Sequence, residues 1–254
     1  MDVNREAECV EAAFVAECLS DGITVRRVGG GVAARAERDP GHFWTRAFGF
    51  DRQLTDEELL EILDFHQGAG ELQLAPWAFP PGWEEIRAAN GLGEAGSWLK
   101  LGCEIGAVRH RDDTAFSITE IGPDQAGDWA GVIASGFGLE DHLVETLIRS
   151  VGRPDARHFV AWDGATAVGA ACLYRQRELG YLTTAATLES HRNRGVQSAL
   201  ISRRAKEAAA EGCSRLVAET GKPLPRAKNS SFNNLARAGL RPLYERRNFQ
   251  SDSR

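Results

Sequence analysis

Residues 179–211 have the sequence LGYLTTAATLESHRNRGVQSALISRRAKEAAAE, and this stretch decides how the rest of the chain is interpreted. Its first part, 181–188, is an extended run of apolar residues and threonines that predicts a β-strand. From Val196 onward, apolar residues recur at spacings of three to five, which predicts an amphipathic helix. The turn between them contains Arg192, Arg194 and Gly195. Because the first amides of a helix lack intrahelical acceptors and the helix dipole is positive there, such a turn is suited to bind an anion.

Arginine and glycine alone favour an ordinary strand–helix junction with surface charges, so the argument for an anion site depends on their spacing. Arg192 and Gly195 fit the pattern Arg/Gln-x-x-Gly-x-Gly/Ala, and the segment ATLESHRNRGVQSALISRR resembles the acetyl-CoA-binding motif of the GCN5-related N-acetyltransferases (GNAT). Gln197 stands at the last motif position, where that family usually has Gly or Ala. In the family the contact at this position comes from the backbone amide, so the resemblance tolerates the difference.

Composition limits the class of protein. The chain has 254 residues, of which 43% are apolar and 26% charged, as expected for a globular protein. A net charge of −6 argues against a nucleic-acid partner. The five cysteines contain no C-x-x-C pair and the histidines no metal-binding spacing, so we expect reduced thiols and no metal site. The absence of a long apolar run and of a signal-peptide core predicts a cytoplasmic protein without a membrane partner.

The predicted order of elements also resembles the GNAT fold. From Thr114 to about Phe249 it runs strand, two helices, hairpin, strand, the R-x-x-G helix, strand, helix and strand. This implies an α/β (α+β) fold, with a mixed central sheet flanked by helices. A weak repeat of strand, proline loop, short helix, Gly-Leu and strand occurs in both halves. We therefore expect a tandem arrangement, with a degenerate GNAT-like domain at 1–112 and a catalytic GNAT domain at 113–254; an unrelated small first domain is the alternative.

The resemblance implies where the cofactor binds. In the family, acyl-CoA lies between two parallel strands that splay apart, which here are 181–188 and 216–219. The implied cofactor-binding residues lie at the end of the first strand, in the turn and at the helix start, with one from a later helix: Ala185, Thr187, Leu188, Arg192, Asn193, Arg194, Gly195, Val196, Gln197, Ser198 and Asn234. The backbone amide of Leu188 is the candidate to stabilise the oxyanion that develops on the thioester carbonyl.

The catalytic acid and base are less clearly marked. Glu219, at the end of the second splayed strand, is a candidate base that would neutralise the amine, or else a solvated carboxylate. The family often has a tyrosine four residues before a Gly-Phe turn, and here that position is Leu235, which has no proton to donate. Tyr244 and Tyr181 are alternatives by chemistry only, and for each of them a packed or hydrogen-bonded structural role is the favoured interpretation.

These observations together predict an acyltransferase of the GNAT type that uses acetyl-CoA, or another acyl-CoA, to acetylate a primary amine of a small molecule. We expect a monomer or a homodimer. Because Leu235 occupies the usual acid position, a non-catalytic module that binds acyl-CoA is an alternative, and so is another thioester reaction such as decarboxylation.

Overall fold

The computed structural model describes residues 2–37, 39, 41–224 and 227–251. Its strands are β1 (Thr24–Val28), β2 (Gly31–Arg35), β3 (Arg46–Phe48), β4 (Glu71–Leu74), β5 (Leu92–Glu104), β6 (Ser117–Ile121), β7 (Ala156–Asp163), β8 (Thr166–Gln176), β9 (Leu179–Thr187), β10 (Arg215–Gly221) and β11 (Arg241–Ser251). Its α-helices are α1 (Val3–Phe14), α2 (Asp56–His66), α3 (Trp83–Ala89), α4 (Ala126–Phe137), α5 (Asp141–Ser150), α6 (Val196–Ala210) and α7 (Ser230–Arg237). A π-helical turn, Val15–Leu19, continues α1, and 3-10 turns occur at Ile105–Ala107, Pro123–Gln125 and Glu189–His191.

The chain divides into two compact units. Unit 1 comprises 1–100, 220–222 and 242–254, and unit 2 comprises 101–219 and 223–241. This division differs from the predicted boundary between residues 112 and 113. The C-terminal strand β11 belongs mostly to unit 1 because its residues 247–250 pair antiparallel with β4, and the end of β5 belongs to unit 2. That the first unit is a degenerate copy of the second stays a prediction.

Unit 2 contains a sheet with the strand order β10-β9-β8-β7-β6. Its β7–β8 hairpin turns at Asp163-Gly164, where Gly164 has a φ of 61°, the left-handed conformation that glycine adopts without strain in such turns. The helix α4 packs on β8, where the fully buried Trp129 donates its indole N–H to the carbonyl of Ala171 at 3.1 Å. The mixed sheet with flanking helices confirms the predicted fold class.

Unit 1 contains strands in the order β1-β2-β3-β4-β11-β5 and has two different buried environments. One is an apolar core, formed by residues from α2, α3 and the strands. The other is a buried charge network: Glu11 of α1 accepts from Lys100 at 2.6 Å and from Arg246 at 2.7 Å. Buried charges of opposite sign in direct contact compensate for the cost of removing each from water. The helix α1 is therefore held to its strands by ion pairs as well as by apolar contacts.

A buried histidine in unit 2 is held in its neutral form. His158 of β7 packs edge-on against Trp129 of α4, with ring centroids 4.6 Å apart. Ser150 Oγ donates its hydrogen to the carbonyl of Leu147, so it accepts from Nε2 of His158 at 3.1 Å. Nδ1 of the same ring is buried and has no hydrogen-bond partner among the described residues. Burial therefore lowers the pKa of His158 to about 3, because a second ring proton would have no acceptor.

This histidine makes stability depend on pH. Between an unfolded pKa of 6.5 and the folded value, the unfolded chain binds a proton that the folded chain does not, so stability is full above pH 6.5 and falls below it. At pH 5.5 the free energy of unfolding is lower by about 1.4 kcal/mol because of this group. Urea titrations at pH 7.5 and 5.5 measure it: His158→Gln, which takes up no proton, should lose about 1.4 kcal/mol less than the wild type. Equal losses in the two proteins would contradict this assignment.

Candidate functional site

The two strands predicted to splay apart pair over only part of their length. β9 and β10 are parallel, and their register runs from the pair Leu179–Arg215 to the pair Leu182–Ala218. β9 continues to Thr187, five residues beyond its last pair with β10. The backbone of residues 183–187 on this side of β9 is therefore open to hydrogen-bond with a ligand.

A β-bulge lies in this open part of β9. On the partner strand, Cys172 pairs with Thr183 and Ala170 pairs with Ala186, so β9 has one more residue than β8 in this interval. Thr184 has a φ of 45°, in the left-handed region that non-glycine residues seldom adopt. A bulge bends its strand and redirects the backbone groups on either side. The bulge therefore separates the paired part of β9 from the part that is open.

Arg204 of α6 donates hydrogen bonds to both strands at this bulge. Its side chain is 2% exposed, and its guanidinium donates to the carbonyls of Cys172 at 2.9 Å and Thr183 at 3.3 Å, and to Leu200 of its own helix at 3.2 Å. Burial lowers the pKa of Arg204 to about 10, so the group remains a cation at neutral pH. Arg204 thus joins β8, β9 and α6 at the bulge, a role that the helical pattern of the sequence did not reveal.

The strand geometry corrects one predicted role. The amide of Leu188 donates to the carbonyl of Val168 on the β8 side at 3.0 Å, so it is already engaged and is not available to an oxyanion. Antiparallel ladders alternate, so the next residue back, Thr187, directs its N–H away from β8. The amide of Thr187 is therefore the one that faces the open side of β9. The Leu188 amide is therefore not available for the oxyanion role that the resemblance implied.

The start of α6 carries amides without protein acceptors. Gly195 precedes the helix with a φ of 85°, and no side chain caps the helix start. Ala199 makes the first backbone bond back to Gly195, at 3.0 Å, which leaves the amides of Val196, Gln197 and Ser198 without intrahelical acceptors. The first turn of α6 contains no acidic residue. This helix start can therefore accept an anion, as the sequence predicts.

The turn before α6 is fixed to its surroundings by two of its residues. His191 contacts the carboxylate of Asp163 at 3.2 Å, and Arg194 lies 3.7 Å from the same carboxylate. Arg194 also lies over the ring of Phe116, 4.7 Å from its centroid. Arg192 is exposed, and it has no ion pair with any residue that the structure describes. Arg194 therefore supports the turn, while Arg192 is the charge that remains available to a ligand.

Gln197 makes a specific contact at the motif position where a Gly or Ala is usual. Its side-chain amide donates to the hydroxyl of Thr187 at 2.9 Å. This bond joins the first turn of α6 to the end of β9. The larger side chain is therefore directed toward the strand end.

A small pocket lies between α6 and α7. Its enclosed volume is only about 10 Å³, so it is a shallow site, and it is lined by Arg109, Arg111, Ser198, Asn234, Arg237 and Ala238. The structure thus brings two predicted cofactor residues, Ser198 and Asn234, to one place, and it adds three arginines that the sequence interpretation did not include. Arg109 and Arg111 were not among the predicted site residues, although two arginines so close together are a visible signal of positive charge.

The predicted catalytic side chains have different surroundings. Glu219 is half-buried near the end of β10. Tyr244 belongs to unit 1, where its hydroxyl donates to Glu8 at 2.7 Å, and burial beside this carboxylate raises the pKa of the phenol. A buried phenol that already donates to a carboxylate is poorly suited to protonate a leaving group, so Tyr244 has the contacts of a structural residue. Leu235 is buried in α7.

Within the ranges of the chain described above, no group of three or more His, Cys, Asp or Glu side chains is placed to hold a metal ion. None of the described helices is long and apolar enough to cross a membrane.

Comparison with known proteins identifies part of the chain. Residues 128–230 match the family model described as acetyltransferase (GNAT) family. No protein of curated function is significantly similar in sequence. The matched segment begins in α4 and ends at the first residue of α7, so it includes the bulge, the turn and the start of α6.

Solved structures resemble the fold over a longer range. A GCN5-related N-acetyltransferase from Kribbella flavida has a TM-score of 0.67 at 14% identity, covering 98% of this chain and 96% of its own. A tandem GNAT protein from the clavulanic acid biosynthesis pathway has a TM-score of 0.58 at 13% identity, covering 97% and 96%. A GCN5-related N-acetyltransferase from Sphaerobacter thermophilus has a TM-score of 0.58 at 10% identity, covering 80% and 70%. At such identities the likeness concerns the fold: GNAT structures, one of them a tandem GNAT protein, align with most of the chain or nearly all of it.

Removing the guanidinium beneath the bulge should weaken the fold. Arg204→Met leaves the carbonyls of Cys172 and Thr183 without this donor, at a cost of about 1–3 kcal/mol for each buried polar group, partly offset because no cation is buried. We expect the free energy of unfolding in urea to fall by about 2 kcal/mol.

The neighbouring residue offers a matched control. Arg203 is more exposed and pairs with Glu207 on the same helix, so Arg203→Met should change the free energy of unfolding by less than about 1 kcal/mol. If Arg204→Met is as stable as Arg203→Met, then the bulge does not depend on Arg204.

Proposed function

Because residues 128–230 form a domain of the acetyltransferase (GNAT) family, we propose that the chain transfers the acetyl group of acetyl-CoA to a primary amine of a small molecule. The observation that carries this proposal is the uncapped start of α6 beside the open end of β9. Free helix amides suit the pyrophosphate of a nucleotide, and an unpaired strand edge suits the amide-bearing pantetheine arm of CoA. A related acyl-CoA would fit the same groups.

The residues present fit this cofactor. Amides of Val196, Gln197 and Ser198 would bind the pyrophosphate, with Arg192 adding positive charge. The open backbone of 183–187 would bind the pantetheine arm by hydrogen bonds of the kind that pair strands. When bound, acetyl-CoA supplies a thioester whose carbonyl is open to attack by an amine.

The chain's own groups then serve the transfer. The amide of Thr187 would donate to the carbonyl oxygen as it gains charge, which is the interaction that most strengthens in the transition state. Glu219 would accept a proton from the amine, because only a neutral amine attacks. With an apolar side chain at Leu235, the thiolate would leave without help from a tyrosine at that position. Its ordinary pKa of about 8.5 makes the thiolate an adequate leaving group at neutral pH.

A small amine is the acceptor that the charge of the chain favours. The net charge of −6 disfavours polyanions such as nucleic acids, whereas amines are cations at neutral pH. A non-catalytic module that binds acyl-CoA is the second candidate, and the burial of Leu235 at the usual acid position is the observation that favours it.

Reversing the charge of Arg192 tests the cofactor site. Arg192→Glu places a carboxylate beside the anion that the helix start would bind, so calorimetric titration with acetyl-CoA should show a loss of affinity of tenfold or more, or about 1.4 kcal/mol. The wild type should bind acetyl-CoA with micromolar affinity, on the order of −8 kcal/mol.

Arg177→Glu is the matched control. Arg177 is exposed in the turn that precedes β9, so the same charge change falls at the opposite end of the strand, about 30 Å away along its axis. Its affinity should stay within about twofold of the wild type. Equal losses in both variants would mean that Arg192 acts only through the overall charge.

Neutralising Glu219 tests the base. Glu219→Gln should lower kcat by about 10²-fold or more with little change in acetyl-CoA affinity, and the fall in rate on the acid side of the pH profile should disappear. The control is Glu178→Gln, because Glu178 lies before β9 and accepts from Ser214 at 3.1 Å, at the other end of the paired strands. An unaltered pH profile in Glu219→Gln would exclude Glu219 as the base.

A panel of small amines, with release of free thiol as the readout, separates the two functions. An acetyltransferase releases CoA only when an acceptor amine is present. If the wild type binds acetyl-CoA and releases no thiol with any amine, then the binding module is the better description.

A further inference from the structure

A short segment of unit 2 follows the outer side of the two helices that border the candidate cofactor site. The backbone N–H of Arg109 donates to the carbonyl of Ala238 at the end of α7, at 2.8 Å, and the N–H of Arg111 donates to Ser202 Oγ of α6 at 2.5 Å. Lys206 of α6 pairs with Asp112 at 2.6 Å. The backbone of this segment is therefore fixed against both helices.

The arginines on this segment converge with a third from α7. Arg109 and Arg111 line the pocket described above together with Arg237, and the hydroxyl-bearing Ser198 and the amide-bearing Asn234 complete it. None of the three guanidinium groups pairs with a carboxylate in the part of the chain that the structure describes, although Arg237 donates to the side-chain oxygen of Asn234. Positive charges grouped in this way without counter-charges create a local positive potential that attracts an anion.

The position of the pocket connects it with the start of α6. Ser198 is the third residue of α6, so its backbone amide belongs to the uncapped helix start. The same residue also lines the arginine pocket. The two positive regions are thus adjacent but distinct: one is made of backbone amides and the other of guanidinium groups. A ligand with two separate anionic groups could use both.

We propose that Arg109, Arg111 and Arg237 bind the 3′-phosphate of coenzyme A. This inference rests on the proposed function, in which the amides at the start of α6 bind the pyrophosphate. The remaining anionic group of the cofactor is a phosphomonoester, which has a second pKa near 6 and so carries nearly two negative charges at neutral pH. Arginine binds phosphate oxygens through two parallel N–H groups, and three guanidinium groups exceed the charge of one such group.

Calorimetric titration with CoA and with dephospho-CoA, which lacks only the 3′-phosphate, tests this assignment without a need for turnover. The wild type should bind CoA about tenfold more tightly than dephospho-CoA, a difference of 1.4 kcal/mol. In a triple variant, Arg109→Gln with Arg111→Gln and Arg237→Gln, the two affinities should agree within about twofold, with dephospho-CoA binding as it does to the wild type. Each single variant should reduce the preference partly.

Two further measurements make the result specific. Arg177→Gln removes one positive charge at the far end of β9 and should retain the full preference for CoA. Circular dichroism and the Tm identify any variant that fails to fold. If the triple variant fails to fold, the test is whether each single variant reduces the preference for CoA. In the wild type the preference for CoA should also weaken below about pH 6, where the phosphomonoester loses one charge.

The outcomes separate this inference from the proposed function. If the wild type binds both ligands equally, or if the triple variant weakens both by the same factor, then the arginine pocket does not recognise the 3′-phosphate, while the cofactor site at α6 stands. If the wild type binds neither ligand, then the proposed function itself fails.

Discussion

The site depends on the hydrogen bonds from the Arg204 guanidinium to the carbonyls of Cys172 and Thr183. A bulge breaks the regular ladder between β8 and β9, and carbonyls at such a break need other donors if they are buried. A helix residue meets this need and so fixes α6 against both strands. Arg204 lies nine residues after Gly195, which is about 13 Å along the helix axis. The uncapped start of α6 is therefore held at a set distance from the open end of β9.

A comparison of two helix starts explains why an anion site is expected in unit 2. The start of α2 in unit 1 has a complete capping box, because Thr55 accepts from the amide of Glu58 while the Glu58 side chain accepts from the amide of Thr55. Its first turn is also acidic, and it repels anions. The start of α6 has a glycine in place of a capping side chain and no acid in its first turn. The positive helix start is thus capped by side chains of the chain itself in α2, whereas in α6 its amides are left available to an anion.

The sequence predicted the parts of the fold that local pattern determines. The hairpin between the second helix of unit 2 and β9, and the strand–turn–helix order around Gly195, both lie where the sequence indicates. The engagement of the Leu188 amide was not visible in the sequence, because the hydrogen-bonding phase of a strand depends on its partner, and a single pairing residue, Val168, decides it.

Long-range contacts could not be predicted from local sequence patterns, because they depend on residues that are distant in the chain. Tyr244 was predicted as an acid on its chemistry, and only the fold shows that its partner is Glu8, a residue 236 positions earlier. The arginine pocket likewise combines residues 109, 111 and 237, which no spacing rule connects. What the sequence could supply was the type of each residue, and what it lacked was the packing that brings them together.

Gln197 illustrates how a motif position can change its residue without losing its role. The contact expected there comes from the backbone amide, and the amide of Gln197 remains without an intrahelical acceptor whatever side chain it carries. The side chain meanwhile bonds to Thr187, whose own amide faces the open side of β9. A glycine or alanine could make no such bond. The Gln197 side chain therefore connects the start of α6, which would bind the pyrophosphate, with the end of β9, which would bind the thioester. This bond keeps the two parts of the cofactor site at a fixed separation.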